Sequence, residues 1–161
     1  MKDILEILVD DARTTPEEIA KMTGQRAADV KKQIKKYEDS GTIVQYKAII
    51  NPEMIEGNQH LVRALIEVSI TPQKDVGFDH IAARIYNFSE VKSCYLVSGS
   101  YDLLLVVEGN SIQTVAEFVS SKLSSMENVR QTSTHFLLKK YKEDGKVFKS
   151  VPRQKRLNIT Y

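Results

Sequence analysis

The apolar residues of this chain repeat with two different periods, and the switch between them near residue 60 limits what it can fold into. Up to Tyr37 they recur every three to four positions, the spacing of one helix face. From Leu61 onward they recur every second position. Val62, Ala64, Ile66, Val68 and Ile70 alternate with Leu61, Arg63, Leu65, Glu67 and Ser69, as on a strand with one wholly apolar face. A chain of 161 residues has room for one large domain or two small ones, and the change of period predicts two.

In the first part, Ile4, Leu5, Leu8 and Val9 predict an amphipathic helix over 2–13. A second helix has a defined start: Thr15 is its cap, Pro16 its first residue, and Glu18 completes a capping box. Ile19, Ala20 and Met22 are expected to face inward, and Gly24 ends the helix at a tight turn. A third helix is expected over 26–39, stopping at Ser40-Gly41, with Ala27, Val30, Ile34 and Tyr37 on its packed stripe. Its opposite face centres on Lys32 and includes Ala28, Asp29, Lys35 and Lys36. Residues 42–50 bring Ile43, Val44, Tyr46, Ile49 and Ile50, which is strand material for a wing. A helix, a glycine turn and a second helix with a basic outer face make a helix-turn-helix pattern. Such a helix fits the major groove, with lysines reaching phosphates and polar groups reaching base edges. Lysines on an exposed helix face can equally be merely solvated. The capped preceding helix and the β segment that follows weigh toward nucleic acid.

Asn51-Pro52 breaks that β segment, and residues 51–60 read as a linker. Beyond the first strand, Phe78, Ile81, Ala82 and Ile85 predict a helix, 91–97 a second strand and 103–107 a third. The third strand is apolar throughout, so it is expected to be central and buried on both faces. Ile112, Val115, Ala116, Val119, Leu123 and Met126 mark another helix, and 129–141 the last strand. The order β-α-β-β-α-β is that of a ferredoxin-like sandwich, and the fold class is α+β. Two helices cover only one face of its sheet. The other would carry Leu61, Leu65 and part of the third strand, an exposed apolar surface expected to pair two copies into a homodimer. A twofold dimer also suits two helix-turn-helix units on double-stranded DNA half-sites about 34 Å apart.

The net charge of +2 hides an uneven distribution. Residues 1–60 hold 9 basic and 11 acidic side chains, 61–138 hold 6 and 8, and 139–161 hold 8 and 2. Within 26–36, Arg26, Lys31, Lys32, Lys35 and Lys36 face Asp29 alone. Cys94 is the only cysteine, so neither an intramolecular disulfide nor a cysteine zinc cluster is possible. His60, His80 and His135 are widely spaced, without ligands beside them. No metal, cofactor or catalytic group is expected. There is no apolar run long enough for a membrane span and no apolar signal region after Met1-Lys2-Asp3, which fits a cytoplasmic protein.

Two short motifs complete the picture: Lys36-Tyr37-Glu38-Asp39-Ser40-Gly41-Thr42-Ile43 at the end of the third helix, and Gly99-Ser100-Tyr101-Asp102 between the second and third strands. Together with the two-domain order, they resemble the Lrp/AsnC (leucine-responsive/asparagine, feast/famine) family of transcription regulators over roughly residues 2–142. The family's counterparts are a basic-Leu-Glu-x-x-Gly-x-Ile run and a Gly-x-Tyr-Asp loop. The resemblance implies a sequence-specific regulator that binds DNA as a dimer or a larger assembly, often an octamer. It also implies a small effector, usually an amino acid, held between dimers near the loop. Carried over, the effector residues are Ser98, Gly99, Tyr101 and Asp102; the expected DNA-binding residues, read from the third helix itself, are Arg26, Lys31, Lys32, Gln33, Lys35 and Lys36.

Backbone N–H groups of the loop would hold an α-carboxylate and Asp102 an α-ammonium. The alternative is a tight hairpin turn that needs Gly99 for positive φ. Two departures stand out: Gln25-Arg26 replaces the family's usual Leu-Ser at the recognition-helix start, and Lys32-Gln33 replaces Arg-Arg. The operator therefore does not carry over from relatives.

The expected organisation is a winged helix-turn-helix over 1–50, a linker over 51–60, an oligomerisation and effector module over 61–145, and a basic tail over 146–161. The tail reads as a phosphate-touching arm, an exchanged strand (Leu157, Ile159 and Tyr161 alternate) or a solvated extension. Other functions consistent with this layout are an effector-independent architectural DNA-binding protein and a relative of tetrapyrrole-acting decarboxylases. The second lacks a convergent His/Arg/Tyr cluster.

Overall fold

The computed structural model describes residues 3–55, 61–71 and 77–148. His60, the end of the linker and the tail beyond Phe148 lie outside them. The chain divides into two compact units, Met1–Ile50 and Asn51–Tyr161.

The first unit is three helices: α1 Ile4–Asp10, α2 Pro16–Thr23 and α3 Ala27–Asp39. Asp3 starts α1 with a capping box shared with Glu6. The helix is shorter than its apolar pattern suggested, and its inward stripe is Ile4, Ile7 and Leu8. Val9 lies outside, 86 % exposed, because it falls well off the i, i+3, i+4 stripe. Met22, expected inward, is also exposed. Ile19, Ala20 and Val30 complete the core, with Ala27, Ile34, Tyr37 and Ile43 packed against it. Gly24 ends α2 at φ 70°, a left-handed conformation that favours glycine, and the Gln25 N–H closes the turn on the Ala20 carbonyl at 3.1 Å.

Residues 44–50 do not form the expected strand. Ile43 is anchored by its N–H to the Tyr37 carbonyl at 3.0 Å, and the Tyr46 hydroxyl donates to Glu38 at 2.9 Å. A ladder needs a second strand. The segment runs into Asn51 and the 3-10 turn Pro52–Met54 without one, leaving Val44 and Ile50 exposed.

The second unit is a four-stranded antiparallel sheet of order β2-β3-β1-β4, with β1 Val62–Ile70, β2 Val91–Leu96, β3 Leu103–Gly109 and β4 Val129–Phe136. Helices α4 Asp79–Tyr86 and α5 Ile112–Glu117 supply one side of the core. Ala64, Ile66 and Val68 of β1 and Leu103, Leu105 and Val107 of β3 are buried against Ile81, Ile85, Val115, Phe118 and Leu123. Gly109 closes β3 where a Cβ would stand 3.0 Å from Val115 Cγ2, so a larger residue there would make the α5 side chains give way by a few tenths of an ångström.

Three expectations fail in this unit. The helix after Ser111 does not keep its period: α5 passes into a π-helical turn, Phe118–Leu123, closed by a bond from Ser124 N–H to the Val119 carbonyl at 2.8 Å. The five-residue spacing brings Phe118 and Leu123 both inward; Ile112 and Ala116, in the regular turns before it, are exposed. The last strand stops at Phe136 rather than running to 141. A separate hairpin, β5 Lys142–Glu143 with β6 Lys146–Val147, turns through Asp144 and Gly145, both at positive φ.

The third strand is interior but buried on one face only: Leu104 and Val106 are half-buried on the helix-free side. There they share a surface with Leu65 and Glu67 of β1 and Tyr95 of β2. Among the described residues, no helix is long and apolar enough to cross a membrane.

Candidate nucleic-acid interface and effector loop

The start of α2 sets the geometry of the helix-turn-helix. Thr15 Oγ accepts from the Glu18 N–H, and the Glu18 carboxylate accepts from the Thr15 N–H at 2.8 Å. That backbone bond holds the Glu18 carboxyl below its usual range. The turn at Gly24 then delivers α3, whose packed stripe is Val30 with Ala27, Ile34 and Tyr37.

With that stripe inward, Lys31, Lys32, Lys35 and Lys36 are all exposed. Among the described residues, none of these four ammonium groups lies within ion-pair distance of a carboxylate. Gln33, half-buried, lies at the edge of the same surface. Arg26 differs. It is the residue that caps α3, its side chain makes no cap bond, and its guanidinium is paired with Asp29 at 2.7 Å. Opposite charges three positions apart on a helix are the sequence signal for this pairing.

The β2–β3 loop is held by backbone bonds from Val97 N–H to the Asp102 carbonyl (2.9 Å) and from Asp102 N–H to the Val68 carbonyl (3.0 Å). Ser98 and Gly99 are exposed, and Tyr101 and Asp102 half-buried. Gly99 does not have positive φ, so the tight-turn explanation of that glycine fails. A Cβ there would meet nothing within 4 Å, so no close packing inside this chain requires glycine either. Asp102 is partly engaged: its Oδ2 accepts the Ile70 N–H at 2.7 Å. The carboxylate thus ties the loop to the end of β1, leaving one oxygen without that duty.

Away from these residues, Arg63 Nε donates to Glu108 at 2.7 Å, and Glu143 joins Arg63 (3.5 Å) to Lys140 (2.6 Å). The cluster pins the chain after β4 over the helix-free sheet face. Beside it lies a cleft of about 470 Å³ whose walls include Leu65, Val106, Leu137 and Tyr141 but none of the loop residues. No pattern in the sequence announced this cluster, because its members lie up to 80 positions apart. His135 Nε2 lies 3.4 Å from Glu67 on the same face. Among the described residues no group of His, Cys, Asp and Glu has the arrangement of a metal site. Cys94 is half-buried against the core, and burial pushes its thiol pKa up.

Comparison with known proteins agrees with this division of labour. Residues 1–44 match a family profile described as winged helix-turn-helix DNA-binding, and residues 63–147 one described as the Lrp/AsnC ligand binding domain. An uncharacterized HTH-type transcriptional regulator of Bacillus subtilis, YugG, is 48 % identical over 98 % of this chain and 95 % of its own length. The leucine-responsive regulatory protein of Rhizobium meliloti is 30 % identical over 87 % of this chain and 88 % of its own. Among solved structures, the feast or famine regulatory protein of Mycobacterium tuberculosis complexed with L-methionine superposes with a TM-score of 0.68. It is 27 % identical and covers 89 % of this chain and 92 % of its own. A transcriptional regulator of Neisseria meningitidis, also in complex with L-methionine, gives 0.66 at 29 % identity, covering 87 % and 88 %.

Proposed function

This chain belongs to the Lrp/AsnC family of DNA-binding transcription regulators, and from that premise we propose that α3 is its DNA-contacting helix and the β2–β3 loop its effector site. The observation that carries the first half is the set of four exposed ammonium groups on one side of α3, without an ion pair among the described residues. Lysines in that state neutralise phosphates and release counterions without first breaking an internal ion pair. Lys31, Lys32, Lys35 and Lys36 contact the backbone, and Gln33 and Arg26 stand where base edges are read.

For the second half, the effector is a free α-amino acid, as suggested by the two relatives solved with L-methionine. Its carboxylate meets loop N–H groups at Ser98 and Gly99. Its ammonium meets the oxygen of Asp102 not bound to Ile70, and Tyr101 lines the side. Gly99, with ordinary φ and open space around it, supports a loop kept bare for something outside the protomer. Two copies pair through the helix-free sheet face, where Leu65, Leu104 and Val106 are only half-covered, and dimers assemble further, up to an octamer. The effector then acts by favouring the assembly that completes its pocket. In this reading the protein works in the cytoplasm and catalyses nothing; the relatives named above are regulators.

A second reading, a DNA-binding protein without effector, is favoured by the engagement of Asp102 with Ile70. A thermal-shift screen of the amino acids, joined to duplex titrations at several salt concentrations, separates the two. A ligand that binds only the folded state raises the melting temperature. No shift with any amino acid leaves the effector-free reading. No duplex binding even at low salt removes both.

A further inference from the structure

Arg26 stands at the start of α3 in extended backbone, φ −82° and ψ 138°, with no side-chain cap bond. Ser, Thr, Asp or Asn at that position would cap the helix and stabilise it. The chain forgoes that and places an arginine there instead. Its guanidinium lies edge-on to Asp29, with Nε donating to Oδ2 at 2.7 Å and Nη2 to Oδ1 at 3.1 Å. A guanidinium carries five N–H donors in a planar fork. The pair uses those of its side edge. The end edge, one N–H each on Nη1 and Nη2, meets no partner among the described residues, and the arginine side chain is 85 % exposed. That edge has the spacing that matches O6 and N7 of guanine.

Asp29 is the only acid within 26–36, in the midst of cations facing a polyanion. An unpaired carboxylate there would repel phosphate, whereas one that holds a guanidinium in place gives up its repulsion for rigidity. Arg26 sits at the end of the recognition helix whose residues reach base edges in helix-turn-helix proteins. Resting on the reading that α3 enters the major groove, we propose that Asp29 is a positioning residue that presents the free edge of Arg26 to a guanine. The lysines farther along the helix bind phosphate without regard to sequence. An arginine held before binding loses less side-chain freedom on contact, which sharpens discrimination between bases. Each group also holds the other in its charged form: the carboxylate stays below its usual range and the guanidinium above. The arrangement supplies from Arg26 an arginine contact that Lys32-Gln33 cannot make.

The test is selection from a pool of randomised duplexes with the full-length protein and its Arg26→Lys, Asp29→Ala, Asp29→Glu and Lys32→Ala variants. Competition binding and a melting curve accompany each. The wild type is expected to enrich guanine at one base pair of each half-site. Arg26→Lys keeps the charge but loses the forked contact, and is expected to lose that preference by about tenfold. Asp29→Ala should weaken the same preference several-fold while binding to non-cognate duplex holds or strengthens, since a negative charge has gone. Asp29→Glu, still able to pair, should restore the preference. Lys32→Ala should weaken binding to all duplexes alike.

Equal strengthening on every duplex by Asp29→Ala, with guanine preference intact, would overturn the proposal and leave Asp29 a helix-start acid. Intact preference in Arg26→Lys would overturn it too. Loss of preference at 26 and 29 together with an inert Lys32 would sustain it, while removing the lysines from the interface. A wild type that binds no duplex ends both it and the regulator mechanism proposed above.

Discussion

The carboxylate of Asp102 accepts a hydrogen bond from the backbone N–H of Ile70 at 2.7 Å, linking the β2–β3 loop to the far end of β1. This bond gives Asp102 a structural duty that the Gly-x-Tyr-Asp pattern alone does not reveal. Asp102→Ala is expected to leave the partly buried Ile70 N–H without its acceptor and to cost about 1–3 kcal/mol in urea unfolding. Asp102→Asn keeps an acceptor oxygen and should hold most of that stability. If the carboxylate also binds an α-ammonium, Asp102→Asn loses the thermal shift given by amino acids while remaining folded. A retained shift would make the residue structural only.

Lys32 and Lys36 lie one turn apart on the outer face of α3, both without an ion pair among the described residues. Replacing both with alanine should weaken duplex binding and flatten the plot of log affinity against log salt by up to about two units of slope. An unchanged slope would place DNA elsewhere on the protein.

A side chain at Gly109 is expected to crowd the start of α5. The alanine variant brings a Cβ to 3.0 Å from Val115 Cγ2 and 3.3 Å from Thr114 Cβ, pressing on the first turn of α5. The φ at this position is not positive, so the cost is packing alone, about 1–3 kcal/mol. Chemical denaturation measures it; an unchanged midpoint would mean that α5 moves away freely.

Acid should loosen the start of α2. The Thr15 N–H holds the Glu18 carboxyl below its ordinary 4.5 in the folded chain. A depressed folded value stabilises the protein fully above the unfolded value, and the contribution is lost as pH falls through the folded one. Melting temperatures of Glu18→Gln should therefore fall less steeply than those of the wild type on acidification from about pH 5 to pH 3. Parallel profiles would show that this bond does not couple to folding.

Features set by neighbouring residues were legible from the amino-acid order. Thr15, Pro16 and Glu18 in that spacing favour a helix start, Gly24 supplies the left-handed turn, and the alternation through Val62–Ile70 dictates which strand face is apolar. The basic outer face of α3 follows from its packed stripe by helix geometry alone. The Asp144-Gly145 pair is a local turn signal of the same kind.

The rest was decided by contacts between distant segments. Among the described residues no strand pairs with residues 44–50, which stay out of a sheet despite their β-branched composition, because strand hydrogen bonds need a second chain segment at the right distance. Packing of Phe118 and Leu123 under the sheet draws α5 into a π turn and changes its phase. Asp102 meets Ile70, and Arg63 meets Glu108 and Glu143, only because the folded sheet brings them together. Local order determines the dihedral preferences and the apolar faces. Which polar groups finally satisfy one another depends on how those faces are buried, and that is a property of the tertiary structure.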